Sequence, residues 1–159
     1  MNIAYSNEKL SDWRNSIFLA GPTPRSDDVK SWRPEALALL NGFAGAVIVP
    51  EWRESGHGCS FNYLDQVEWE HEMLTKCSVI AFWVPRDLKT MPSFTTNVEF
   101  GRFVGRRPTV YGRPPFRPKN DYLDWYYEKM TGLKPLNILE KTMRAAVDMA
   151  ANEALGRES

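Results

Sequence analysis

Apolar and polar positions run along this chain in blocks, and the period of the blocks changes where one element gives way to the next. Ser16-Ile17-Phe18-Leu19-Ala20 is a short apolar run closed by Gly21-Pro22, the mark of a buried strand that leaves into a tight turn. Trp32, Ala36, Leu39 and Leu40 then recur at helical spacing, with Ser26 or Asp27 placed to cap that helix. Residues 42–45 interrupt it, and Ala46-Val47-Ile48-Val49-Pro50 predicts a second buried strand. After a polar loop over residues 51–60, Tyr63, Val67, Leu74 and Cys77 fall on one stripe of a helix over 61–77. Ser78 to Val84 is the most apolar run and predicts a third strand, followed by a loop with two prolines and a helix reaching Val104 or Gly105. Thr109-Val110-Tyr111 predicts a fourth strand, 121–130 a short helix or an aromatic loop, and Pro135 opens a last amphipathic helix with Leu139, Met143, Ala146, Val147, Ala150 and Ala154 along one face.

Strands that alternate with helices predict an α/β fold, a flavodoxin-like or Rossmann-like parallel sheet of four to five strands with helices on both faces. No repeat, low-complexity tract or linker divides residues 1–159, so one domain is expected. In a flavodoxin-like order the crevice lies beyond the carboxyl ends of the first and third predicted strands, where the winding direction reverses. The loop Gly21-Pro22-Thr23-Pro24-Arg25 and the stretch Ser93 to Gly101 both leave from those ends.

Composition narrows the partner. The formal net charge is +0 and no Lys/Arg block occurs, so a nucleic-acid backbone finds no electrostatic footprint and a small molecule is the expected ligand. Neither a signal-peptide core nor a run of about 20 apolar residues is present, which predicts a cytoplasmic protein without a membrane partner. Cys59 and Cys77 are read as free thiols, and His57, Cys59 and His71 match no metal-ligand spacing, so no metal is expected.

Two carboxylates draw attention. Glu70 shares the stripe of Val67 and Leu74, and an inward carboxylate must be paired, solvated by a cleft or protonated, because it costs several kcal/mol if ionised and alone. Glu68 and Glu72 point elsewhere and read as solvated face charges. Thr96-Asn97-Val98-Glu99 fits a capping box, which by itself explains a glutamate; Gly101 close behind it permits close approach by a backbone or a ligand, so a cap and a functional group both stay open for Glu99. Arg25, with the amides of the following helix, is either a phosphate contact or an exposed turn arginine.

Ile17-Phe18-Leu19-Ala20-Gly21-Pro22, then Trp32-Arg33, then Trp69-Glu70, and finally Thr95-Thr96-Asn97-Val98-Glu99-Phe100-Gly101 resemble, in order and spacing, the nucleoside 2-deoxyribosyltransferase-like superfamily, which includes nucleotide N-glycosidases. The resemblance covers roughly residues 16–125. It implies a flavodoxin-like fold and displacement at the anomeric carbon of a (deoxy)nucleoside or its monophosphate, with the sugar passed to another base or to water and no cofactor. Carried across, Glu99 matches the nucleophile, and Glu70 falls where the family has an aspartate that binds and protonates the base. Phe18, Gly21, Thr23, Arg25, Ser93, Thr95, Thr96 and Asn120 are the expected substrate-binding positions. Phe18 stands where many members have a tyrosine, and Ser93 where a transferase often has a carboxylate. The resemblance also implies a homo-oligomer, with Tyr122, Trp125, Tyr126 and Tyr127 suited to the interface and Asn120 contributed to a neighbour's site. Two further readings stay open, a non-catalytic nucleotide-binding or sensor domain and a structural protein in which Glu99 is only a cap.

Overall fold

In a computed structural model, residues 1–53, 62–116 and 118–156 are described. Five strands, β1 (Asn2–Tyr5), β2 (Ser16–Ala20), β3 (Ala46–Val49), β4 (Val79–Trp83) and β5 (Thr109–Gly112), form one sheet in the order β1-β3-β2-β4-β5. Every pairing is parallel, with Phe18 opposite both Ile48 and Ile80, and Phe82 opposite Tyr111. The run β3-β2-β4-β5 is the flavodoxin-like order expected, and the winding reverses between β2 and β4. The fifth strand is N-terminal: β1 lies on the edge beside β3, where its four residues and half-covered side chains leave too short a pattern to read from sequence.

Side chains leave each strand to alternate faces, and two apolar layers result. Ile17, Leu19, Val47, Val79 and Val110 pack under α1 (Arg33–Leu39) and α5 (Leu139–Gly156). Phe18, Ile48, Ile80, Phe82 and Tyr111 pack under α2 (Tyr63–Lys76), α3 (Phe94–Phe103) and α4 (Asp121–Thr131). The predicted α/β architecture with helices on both faces is therefore observed, and residues 121–131 resolve as helix rather than aromatic loop.

Several helix boundaries differ from expectation. The first helix starts at Arg33, so Ser26 and Asp27 lie in the preceding loop and cap nothing; instead the Ser31 hydroxyl accepts from the Arg33 amide at 3.1 Å, and Pro34 occupies a first-turn position that needs no donor. The last helix begins at Leu139 rather than Pro135, because Leu136 is spent on the sheet: its amide donates to Tyr111 and its carbonyl accepts from Arg113, each at 2.9 Å. The stripe on α2 also divides. Trp69, Met73 and Leu74 face the core, whereas Tyr63, 63% exposed, and Val67, 42% exposed, turn toward open space with Glu70.

The largest correction concerns α3. Its first residue is Phe94, and its N-cap is Ser93, held at φ 66° in the left-handed region with its hydroxyl donating to the Met91 carbonyl at 3.1 Å. No acidic residue lies in the first turn and no side chain caps it. Glu99 is therefore well inside the helix, and the Thr96–Glu99 capping box does not form. Thr96 is buried instead, on the same face as Phe100 and Phe103. Phe100 meets Phe82 at 5.0 Å and Tyr111 at 4.8 Å, both edge to face, contacts worth ~0.5–1.5 kcal/mol each beyond the area they cover. With Phe100 locked onto the sheet, the rotation of α3 is set, and the preceding residue, Glu99, is turned to the side of the helix that borders the β2 end.

Candidate active site

A cleft of about 500 Å³ opens beyond the carboxyl ends of β2 and β4, at the reversal of winding. That volume is within the ~300–1,000 Å³ typical of small-molecule sites. Arg33, the first residue of α1, lines it, and four further segments wall it. The end of β2 and its turn bring Phe18, Gly21, Thr23 and Arg25; the segment after β3 brings Glu51 and Trp52; α2 brings Tyr63, Gln66 and Glu70; the start of α3 brings Ser93, Thr95, Thr96 and Glu99. The structure thus gathers in one cleft every site residue expected from sequence except Asn120.

Asn120 is buried elsewhere, its amide donating to the Val84 carbonyl at 3.2 Å, so the expectation that it reaches a neighbouring subunit's site does not fit its place within its own chain. Tyr127 is also core rather than interface, with its hydroxyl donating to the Thr109 carbonyl at 3.1 Å. Among the described residues, no neighbouring element comes within 4 Å of where a Gly101 Cβ would stand; a close approach is found at Gly21. There φ is +151°, and an added Cβ would sit 2.1 Å from the Trp83 carbonyl oxygen and 2.9 Å from the Trp32 ring. Only a glycine lets the β2 turn lie against the end of β4.

Glu99 is half-buried, and among the described residues no hydrogen bond holds its carboxylate. Burial pushes its pKa up to about 8, the nearby Glu70 charge adds to that, and Arg33 opposes both. Glu70 is raised as well, first by burial, against a hydrogen bond from Gln66 at 2.9 Å and the Arg33 charge. A helix N-terminus would have lowered the Glu99 pKa. Its actual place, deeper in α3 and beside a second carboxyl, has the opposite effect. Two carboxyls from different helices thus line one partly dry cleft, and both are drawn toward the protonated form.

Arg33 lies behind this pair and is 1% exposed. The charged position immediately beside Trp32 shares the buried side of α1 with Ala36, and that periodicity was a signal for it; Leu39, expected on the stripe, is exposed instead. Glu51 was signalled only by its place just past the carboxyl end of a parallel strand. At the cleft mouth the Arg25 amide donates to the Thr90 carbonyl at 3.1 Å and its guanidinium lies 5.5 Å from the Phe94 ring centre, so the loops after β2 and β4 meet there.

No group of three His, Cys, Asp or Glu side chains that suits a metal occurs among the described residues. His57 and Cys59, the other parts of the metal pattern considered from sequence, lie outside the described residues, and His71 is exposed. Cys77 is a buried free thiol, its pKa pushed up to about 12 by burial. Among the described residues no helix is long and apolar enough to cross a membrane.

The family described as nucleoside 2-deoxyribosyltransferase like has a model that matches residues 14–115. That span runs from just before β2 to just past β5 and holds all four walls of the cleft. Among curated proteins, none matches the chain.

Proposed function

This chain belongs to the nucleoside 2-deoxyribosyltransferase-like family, and from that premise we propose that its cleft breaks the N-glycosidic bond of a (deoxy)nucleoside or nucleoside monophosphate. The observation that carries the reading is the pair Glu99 and Glu70, brought by α3 and α2 into one cleft and both shifted toward the protonated form. In the active state Glu99 is the ionised partner and Glu70 the protonated one, which at neutral pH is the minor arrangement of the pair, since Glu99 carries the larger upward shift. A Glu99 oxygen attacks C1′, the bond from C1′ to the base nitrogen breaks, and Glu70 gives its proton to the departing base. The transition state is oxocarbenium-like and the product is a glycosyl ester on Glu99. A second base or water then attacks C1′, Glu70 takes the acceptor's proton, and Glu99 is released.

The substrate is a small molecule, and the lining of the cleft by Arg25 supports a role for its guanidinium in selecting a 5′-phosphate. Base release from deoxynucleosides with a free acceptor base, and separately from deoxynucleoside monophosphates, tests both points. We expect turnover with at least one class, its loss in Glu99→Ala by at least about 10³-fold, and a glycosyl adduct on Glu99 by mass spectrometry. If the monophosphate is preferred, Arg25→Ala abolishes that preference and leaves nucleoside turnover in place. No base release from any of these substrates would sink the proposal.

The second reading is a nucleotide-binding or sensor domain without turnover. It is favoured by the height of the Glu99 pKa, which at neutral pH keeps the would-be nucleophile largely neutral. Nucleotide binding by calorimetry, with no product over hours, would support it. We further propose that the protein acts as a homo-oligomer, since Phe94 and Val98 on α3 and Tyr122 and Trp125 on α4 expose large apolar side chains.

A further inference from the structure

We propose that Arg33 is the positioning residue of the cleft: from beneath its wall the forked guanidinium ties the turn after β2 to Glu51 and supplies the buried positive charge against which the Glu99 and Glu70 carboxyls act. Its bearing on catalysis rests on the glycosidic reading above; its bearing on the charge of the cleft does not.

The geometry is that of a fork with every arm occupied. Nε donates to the Leu19 carbonyl at 3.1 Å, Nη2 to the Gly21 carbonyl at 2.7 Å, and Nη1 to the Thr23 hydroxyl at 3.0 Å and to Glu51 Oε1 at 2.6 Å. One side chain thus spans the end of β2 and the cleft loop that follows it. Lysine carries the same charge but lacks the planar fork that would hold these acceptors together.

A purely structural role does not call for a charge at this place. Removing a cation from water costs several kcal/mol, and buried ion pairs are commonly replaced by apolar side chains of similar volume with no loss of stability. Here the charge is 1% exposed, and its direct counter-ion, Glu51, is a residue of the cleft wall. Glu51 spends a single oxygen, Oε1, on both Arg33 and the Ser31 hydroxyl, the latter at 2.7 Å. Among the described residues, the charged or titratable groups that line the cleft with Glu99 are Glu70 and Tyr63 on α2, Arg33 on α1, Glu51 after β3 and Arg25 after β2. Among them Arg33 alone is both cationic and buried, and it lowers the proton affinity of both carboxyls. Glu51 in turn offsets part of the Arg33 charge.

This arrangement makes a prediction with two signs. Removing the cation in Arg33→Met moves the Glu99 titration to higher pH. Neutralising the counter-ion in Glu51→Gln leaves the Arg33 charge less compensated and moves the Glu99 titration to lower pH. Arg33→Lys keeps the charge and loses the fork, so Glu99 titrates near its wild-type pH while KM rises by roughly 10- to 100-fold, the cost of a displaced cleft wall. The measurement is a carbon-13 NMR titration of glutamate-labelled protein without substrate, with the Glu99 carboxyl assigned through Glu99→Gln. Opposite shifts in Arg33→Met and Glu51→Gln are the expected result; shifts of the same sign, or none in either, overturn the proposal. Should Arg33→Met fail to fold, the absence of a downward shift in Glu51→Gln overturns it alone. Titrations that move as expected in a protein that turns over no glycosidic substrate would keep the role of Arg33 in setting the charge and remove the reaction assigned to the cleft.

Discussion

Glu99 and Glu70 are expensive residues to fold, and that expense is visible as a pH dependence of stability. Both have folded pKa values above the ordinary 4.5, Glu99 at about 8, and in the unfolded chain both return toward the ordinary value. Between about 4.5 and about 8 the folded chain therefore holds more protons than the unfolded one, and by linkage stability falls as pH rises through that window. Glu99→Gln removes the larger part of the difference. The urea midpoint of the wild type is expected to drop between pH 5 and pH 8, and that of Glu99→Gln to drop less and to exceed the wild type at pH 8. Equal drops in the two proteins would show that Glu99 is not strained by its site. A gain in stability on replacing Glu99 is the trade expected if Glu99 is the reactive group proposed above. From sequence, the inward stripe position of Glu70 was legible as a carboxyl needing a cleft or a proton, because helical period alone decides which side it takes. The raised pKa of Glu99 was not legible, since it depends on a neighbour from another helix.

At the level of elements, the cleft is made by two turns that leave parallel strands and lie against each other. Gly21 is the tightest point, with the Trp83 carbonyl where a Cβ would go. Gly21→Ala is expected to lose about 1–3 kcal/mol by overpacking, more if the turn cannot yield, and to raise KM because the turn carries Thr23 and Arg25 with it. Urea denaturation and steady-state kinetics on the one variant check both; wild-type stability would mean that β2 and β4 are not so closely apposed. The sequence marked this turn correctly through Gly21-Pro22 but placed the start of α3 at Thr96. Thr96 to Glu99 satisfies the local capping rule, yet Phe94 and Thr95 also take helical geometry and Ser93 makes the sharp entrance in a left-handed conformation. Packing of Thr96, Phe100 and Phe103 on the sheet outweighed the local cap, which contributes only ~1 kcal/mol.

At the scale of the whole molecule, α3 and α4 present large apolar side chains to solvent. Val98 is 72% exposed, Tyr122 70% and Trp125 57%, and Tyr122 stacks on Tyr126 with ring centres 6.5 Å apart. If a second copy covers this surface, light scattering finds the wild type as a dimer or larger species and Trp125→Lys shifts it toward the monomer at the same concentration. A wild type that stays monomeric at high micromolar concentration would refute the assembly. Tyr127, also expected at the interface, packs between Phe100 and Tyr111 instead, so the aromatic cluster divides between core and surface according to which side of α4 each ring leaves.

Sequence alone determined the alternation of strands and helices, the parallel sheet with two covered faces, and the two loops on which the site would be built, because each follows from local period and turn chemistry. The family also was legible, since its motifs are contiguous stretches whose order survives without coordinates. Tertiary structure alone decided that β1 completes the sheet at its edge, that Glu99 sits inside α3 rather than capping it, and that Arg33 lies buried behind the carboxyl pair. Each of these depends on contacts between segments far apart in the chain. The charge of the site is the clearest case: Glu99 from α3 and Glu70 from α2 are shifted by burial and by Arg33 from α1, which in turn feels Glu51 from the end of β3, and only the folded sheet brings them within reach.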